Sequence, residues 1–95
     1  MLYIEAKFFI KDDQREFFLN DILPLMETAR QEEGCLDYHL YESFEEPNQF
    51  VMTEKWANQE AIDNHNKQPL LLNLFGHMKE YAKKPTVVNV FSKEE

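Results

Sequence analysis

The sequence predicts a small α+β domain, because strand-like and helix-like segments follow one another in the order β-α-β-β-α-β. The strand-like segments are rich in aromatic and β-branched residues, whereas the helix-like segments repeat apolar residues every three or four positions. Pro69 divides the second helical region in two. This order is that of the ferredoxin-like, split βαβ arrangement.

The first half of the chain predicts one strand and one long helix. Residues 2–10 alternate, with Leu2, Ile4, Ala6 and Phe8 on one face. A helix is expected over residues 13–32, and Asp12 or Asp13 could cap it. Gly34 is placed to end that helix. The apolar stripe of the predicted helix consists of Phe18, Ile22, Leu25 and Ala29.

The second half predicts a strand pair, two helices and a last strand. Residues 35–44 and 50–56 should pair around the turn at 45–49. A short helix follows, opened by Ala57 or Asn58. The next helix starts near Pro69, and its expected core positions are Leu71, Leu74, Phe75 and Met78. Residues 85–91 form the last predicted strand, and a charged tail follows it.

Composition restricts the kinds of protein that this chain can be. Its 95 residues indicate one domain, over residues 1–95, and its net charge of −8 argues against nucleic acid and anionic membranes as partners. No apolar run is long enough to span a bilayer. Cys35 is the one cysteine, so no internal disulfide is possible, and the start of the chain lacks a signal-peptide pattern. A cytoplasmic location is therefore expected.

The predicted sheet has apolar side chains on both faces, which is unusual for a sheet with helices on only one side. In the first strand, Tyr3 and Phe9 lie on the face opposite Ile4 and Phe8. In the third strand, Val51 lies on the face opposite its two sequence neighbours. A second copy of the chain, packed sheet against sheet, would cover the outer face. We therefore expect a homodimer.

Three residues around the turn after the third strand are candidates for chemistry. Glu54 and Trp56 share a strand face, so Glu54 points wherever Trp56 points. If that face meets the helices, desolvation raises the pKa of Glu54 and makes it a possible base; otherwise the carboxylate is solvated or paired with lysine. His65 shares a helix face with Ala61 and Ile62, so it is either a proton acceptor beside a cavity or a structural hydrogen-bonding residue.

The remaining candidate groups predict little chemistry. His39 is expected at the dimer side or in solvent, and His77 in solvent. No two histidines have metal-ligand spacing, so no metal site is predicted. Cys35 follows the end of a helix, where the negative end of the dipole should raise the pKa of its thiol rather than activate it.

The segments "EEGCLDYHLYES" and "FVMTEKWANQEAIDNH" resemble the antibiotic biosynthesis monooxygenase (ABM) family, which includes small bacterial quinol monooxygenases. The resemblance covers nearly the whole chain. It implies a dimeric α+β barrel with a pocket between sheet and helices in each subunit. It also implies oxidation of a small aromatic or quinone-type molecule by molecular oxygen, without metal, flavin or haem cofactor.

The resemblance also implies roles for individual residues. His65 matches the family's histidine and would be the base, Trp56 would pack against the substrate, and Glu54 would orient a polar group. Many relatives carry a second histidine after a proline, and Leu70 stands there in this chain. Phe8 occupies the position of an asparagine that related haem-degrading proteins use, which disfavours haem degradation. The expected substrate-binding residues are Phe8, Met52, Leu70 and Phe75.

Two alternatives to the oxygenase remain open at this point. The chain could be a non-catalytic dimeric module that binds a small ligand, as the loss of the second histidine at Leu70 would allow. It could also be an acid-base isomerase of a small carbonyl compound, since one fold can host several chemistries.

Overall fold

A computed structural model describes residues 1–93, so residues 94 and 95 of the predicted domain and tail lie outside the description. The described part is one four-stranded antiparallel sheet with its helices on one face. In chain order, the elements are β1 (Leu2–Ile10), a 3₁₀ turn (Asp12–Gln14), α1 (Arg15–Ala29), β2 (Cys35–Glu42), β3 (Gln49–Trp56), α2 (Gln59–His65), α3 (Pro69–Tyr81) and β4 (Ala82–Ser92).

The strand order in the sheet is β2-β3-β1-β4, so β1 and β3 are central. The predicted pairing of β2 with β3 is confirmed, with Tyr38 opposite Glu54. On the other side, Ile4 lies between Glu54 of β3 and Val90 of β4. The predicted order β-α-β-β-α-β with a divided second helical region is therefore confirmed.

The core lies between the sheet and the helices, and its inner-face residues alternate as predicted. Phe18 of α1 packs between Phe8 and Phe50, with ring centroids 5.3 and 5.1 Å apart. The predicted stripe of α1 is buried throughout, as are the expected positions Leu71 and Leu74 of α3. Phe75, however, is 50% exposed, so the expectation that it belongs to the core is wrong.

Several predicted boundaries, and one predicted cap, differ from the structure. The helix over 13–32 is α1, which ends at Ala29, and the last strand begins at Ala82 rather than 85. Neither Asp12 nor Asp13 caps the helix. Asp12 instead accepts a hydrogen bond of 2.6 Å from the amide nitrogen of Asn48, which leaves its carboxylate engaged with the β2–β3 turn.

Gly34 ends the connection after α1 rather than the helix itself. Its φ of +84° is in the left-handed region, and a Cβ built there would lie 2.6 Å from the Cβ of Ala61. Its carbonyl accepts a hydrogen bond from the backbone N–H of Ala57, 2.8 Å away. This glycine thus lets the start of β2 approach α2, which carries His65.

Replacing Gly34 with alanine should destabilise the fold by about 2–4 kcal/mol, because the left-handed conformation and the contact with Ala61 both disfavour a side chain. The matched control is Gly76→Ala, where a Cβ meets nothing within 4 Å inside a helix. That control should stabilise the protein by up to ~1 kcal/mol. Urea unfolding of both variants measures the difference, and equal stabilities would contradict it.

Candidate functional site

A cavity of about 250 Å³ lies between the sheet and the helices. It is larger than the ~150 Å³ cavity that holds benzene in an engineered core. The residues that line it are Ile4, Ala6, Phe8, Leu25, Tyr38, Met52, Glu54, Gln59, Ile62, His65, Asn66, Leu71, Leu74, Phe75, Val88 and Val90.

The polar and apolar lining residues come from different parts of the fold. The polar side chains belong to β2, β3 and α2, or directly follow α2; they are Tyr38, Glu54, Gln59, His65 and Asn66. The lining residues of β1, α1, α3 and β4 are all apolar. The cavity therefore has one polar end, and the rest of its wall is apolar.

His65 is the central residue of the polar end, and it is only 2% exposed. Both carboxylate oxygens of Glu32 lie 3.1 Å from its Nδ1. Because a carboxylate only accepts hydrogen bonds, this contact places a proton on Nδ1, and in the neutral imidazole the lone pair then lies on Nε2. Nε2 is thus available as a proton acceptor.

Tyr38 is the hydrogen-bond partner of that nitrogen. Its hydroxyl lies 3.3 Å from His65 Nε2, and the ring packs edge-on against the imidazole. Burial raises the pKa of Tyr38, and the nearby Glu54 and Glu32 raise it further. The phenol therefore stays protonated at neutral pH and can donate a hydrogen bond to His65 or to a molecule in the cavity.

Glu54 is buried. The sequence had left open whether its environment is apolar or solvated. Its side chain is 8% exposed, its Oε1 accepts a hydrogen bond of 2.9 Å from Trp56 Nε1, and the same oxygen lies 3.8 Å from His65 Nε2. Burial raises the pKa of Glu54, although the Trp56 hydrogen bond and His65 act in the opposite direction. Of the two environments that the sequence left open, the structure therefore has the desolvated one.

Glu54→Gln should remove the contribution of this carboxyl group to the pH dependence of stability. A carboxyl group with a raised pKa binds its proton more tightly in the folded state, so wild-type stability is lost as pH rises from its ordinary value of 4.5 through the higher folded value. Glutamine keeps an acceptor for Trp56 but does not ionise. The variant should therefore gain stability relative to wild type between pH 4 and pH 8, as measured by urea unfolding. A difference that stays constant over this range would contradict the prediction.

The structure brings most of the predicted site residues to the cavity, but not all. Phe8, Met52 and Phe75 line it together with Glu54 and His65. Trp56 is fully buried behind the wall, with its ring centroid 4.7 Å from that of His65. In this position it supports His65 and Glu54 and does not face the cavity.

Leu70 is the other predicted binding residue that does not line the cavity. It is the second residue of α3 and 36% exposed, whereas the lining residues of α3 are Leu71, Leu74 and Phe75. The helix turns by about 100° per residue, so the position next to an inward-facing leucine points away from the cavity. Substrate contact by Leu70 within one subunit therefore finds no support.

Four polar residues of the site, Glu32, Tyr38, Gln59 and Asn66, were not predicted from the sequence. Tyr38 has no predicted role, although its register opposite Glu54 puts both side chains on the same face of the sheet. Glu32 lies in the connection after α1, where no periodicity applies. Its contact with His65 spans 33 positions of the sequence and had no detectable signal.

The other titratable candidates lie outside the cavity. His77 Nδ1 lies 2.7 Å from Asp21, which also accepts a hydrogen bond from Tyr81. His39 is exposed beside Asp37. Burial raises the pKa of Cys35 to about 11, so the predicted direction holds, but desolvation and Glu32 cause the shift instead of a helix end.

Within residues 1–93, no three His, Cys, Asp or Glu side chains form a group that could hold a metal ion. Over the same residues, no helix combines the length and apolar character that crossing a bilayer requires.

Comparison with known proteins gives one matching family, described as antibiotic biosynthesis monooxygenase, over residues 1–84. "Putative monooxygenase YcnE" of Bacillus subtilis (strain 168) is 39% identical over 67 residues, which are 70% of each chain. "Putative monooxygenase Rv0793" of Mycobacterium tuberculosis (strain ATCC 25618 / H37Rv) is 29% identical over 92% of this chain and 85% of its own.

Solved structures have the same fold. The crystal structure of a conserved protein from Methanosarcina mazei Go1 has a TM-score of 0.91 and 29% identity, covering 98% of this chain and 92% of its own. The predicted fold class is therefore confirmed by experimental structures as well as by the strand order.

Proposed function

Because the chain belongs to the antibiotic biosynthesis monooxygenase family, we propose that it oxidises a small aromatic, quinol-type molecule with molecular oxygen and no cofactor. One observation carries this proposal. The buried Glu32–His65–Tyr38 hydrogen-bond series contains a proton acceptor, His65 Nε2, at the wall of a mostly apolar cavity. Such an arrangement suits removal of a hydroxyl proton from an aromatic ring that packs against the apolar wall.

In the proposed mechanism, each residue acts at a stated atom. A ring hydroxyl of the substrate loses its proton to His65 Nε2, either directly or through the Tyr38 hydroxyl, while Glu32 stabilises the charge that His65 gains at Nδ1. Glu54 orients a second hydroxyl, and Trp56 holds Glu54 in place. The apolar wall that includes Phe8, Met52 and Phe75 packs against the ring.

The electrons for oxygen reduction come from the substrate itself. A quinol and O₂ give a hydroxyquinone and water: one oxygen atom forms a new C–O bond to the ring, and the O–O bond breaks. The other oxygen atom leaves as water with two protons. The ring supplies all four electrons, so no external reductant is required. The protein provides proximity, proton removal and exclusion of water.

The outer face of the sheet supports the homodimer as part of the same proposal. Tyr3 pairs with Phe91, and Lys7 lies between Val51 and Val87, on the face that the helices do not cover. Phe91 and Val87 are 53% and 44% exposed. A second copy packed on this face would bury them, and light scattering should then give twice the 11.4 kDa of one chain.

Oxygen uptake by metal-free protein, with chelator present, tests the function. The panel consists of hydroquinones, naphthoquinols and anthrones, and protein-free samples correct for spontaneous oxidation. Uptake above background with a hydroxyquinone as product supports the oxygenase. Turnover that is independent of oxygen would indicate an acid-base isomerase, and binding without turnover would indicate a ligand-binding module.

A further inference from the structure

The charge of the cavity restricts the class of ligand further than family membership does. Glu54 lines the polar end at 8% exposure, and Glu32 lies directly behind His65 with a side chain that is 12% exposed. Over residues 1–93, the lining set contains neither lysine nor arginine. The polar end therefore combines two carboxyl groups with one imidazole and has no fixed positive charge.

The net charge of this group is negative while it holds no more than one proton beyond the one on His65 Nδ1. When His65 carries a proton only on Nδ1 and both carboxyl groups are ionised, the sum is −2. One further proton gives −1, whether it resides on His65 Nε2 or on Glu54, the two groups 3.8 Å apart. An anionic ligand would enter a buried site of like charge with no cation to pair with it, which is strongly unfavourable.

The volume of the cavity limits the size of the ligand. A cavity of about 250 Å³ exceeds the ~150 Å³ that encloses one benzene ring, and its wall is apolar except at one end. Two fused rings with a hydroxyl at one edge fit this description. The hydroxyl can then reach Tyr38 and His65 while the second ring packs against the apolar wall.

We propose that the site selects uncharged, two-ring hydroxyaromatic molecules and rejects their carboxylate, sulfonate or phosphate derivatives. This inference rests on the proposed function for the identity of the site, but it concerns binding and not turnover. The substrate would arrive neutral and ionise only inside the cavity, where His65 takes its proton. Specificity thus arises from repulsion of acidic analogues as well as from fit.

Titration calorimetry with ligands that do not turn over tests the proposal. The probes are 1-naphthol, 1-naphthamide and 1-naphthoate at neutral pH; the amide and the carboxylate have nearly the same shape and differ in charge. The two neutral probes should bind at least ten times more tightly than 1-naphthoate. Phenol should bind at least ten times more weakly than 1-naphthol, because one ring leaves the cavity partly empty.

The Glu54→Gln variant tests whether this carboxyl group causes the selection. Glutamine preserves the shape and the acceptor for Trp56, so the ratio of naphthamide to naphthoate affinity should fall severalfold. Equal affinities for these two probes in wild type, an unchanged ratio in the variant, or no binding of 1-naphthol would each overturn the proposal. Binding is independent of oxygen uptake. Failure of the oxygenase with preserved selection would therefore leave this inference standing.

Discussion

Replacing His65 with alanine should lower kcat for oxygen uptake by a factor of about 10²–10⁴, the usual contribution of a positioned general base. The expected loss is large because His65 Nε2 is the proton acceptor within the Glu32–His65–Tyr38 series, and the described lining residues offer no other imidazole. The measurement uses the quinol that wild type oxidises fastest, at saturating concentration. The spontaneous rate is subtracted.

His77→Ala is the matched control for that substitution. His77 also contacts a carboxylate, Asp21, but it lies outside the cavity, and its side chain is 43% exposed. This variant should keep wild-type kcat. The loss in His65→Ala would then be due to the position of His65 and not to the removal of a histidine in general. A His65→Ala protein with full activity would show that proton removal does not depend on this residue.

The second large effect is expected for Glu32→Gln, with kcat reduced by roughly 100-fold. The carboxylate places the proton on His65 Nδ1, whereas the amide nitrogen of glutamine can donate to Nδ1 and transfer the ring proton to Nε2. The acceptor would then be lost although the imidazole remains. Exchange of carboxylate for amide behind a catalytic histidine is known to be costly for this reason.

A purely structural role for Glu32 would give a different result. Glu32 does not line the cavity, so affinity for 1-naphthol should be unchanged in Glu32→Gln while kcat falls. Glu32→Asp, which keeps the charge, should recover part of kcat. If affinity and kcat fell together with the melting temperature, Glu32 would be holding the fold rather than positioning His65.

The convergence of Glu54, Trp56 and His65 was predictable because each position follows from a local period. Alternation within β3 puts Glu54 and Trp56 on one face, and spacing of three and four puts His65 beside Ala61 and Ile62. A turn of two residues, Ala57 and Asn58, then leaves little freedom in how α2 returns over the strand.

The parts that could not be predicted depend on contacts without a local period. Glu32 reaches His65 from an irregular connection, and the position of that connection depends on the close approach of Gly34 to Ala61. Phe75 belongs to the apolar stripe of α3, as its spacing indicates. The stripe does not show whether packed side chains or a cavity lie beneath it. Trp56 was correctly placed on the same strand face as Glu54, but its depth behind His65 depends on packing.

The division of the cavity wall between elements has an evolutionary consequence. Proton-transfer groups lie on β2, β3 and α2 and in the Glu32 connection, whereas β1, α1, α3 and β4 supply only apolar wall. Exchanging Ala6 or Val88 for a larger or smaller apolar residue would therefore reshape the space for a substrate without touching the acid-base groups. Substitutions in those four elements could therefore change the substrate during evolution while the acid-base groups stay the same.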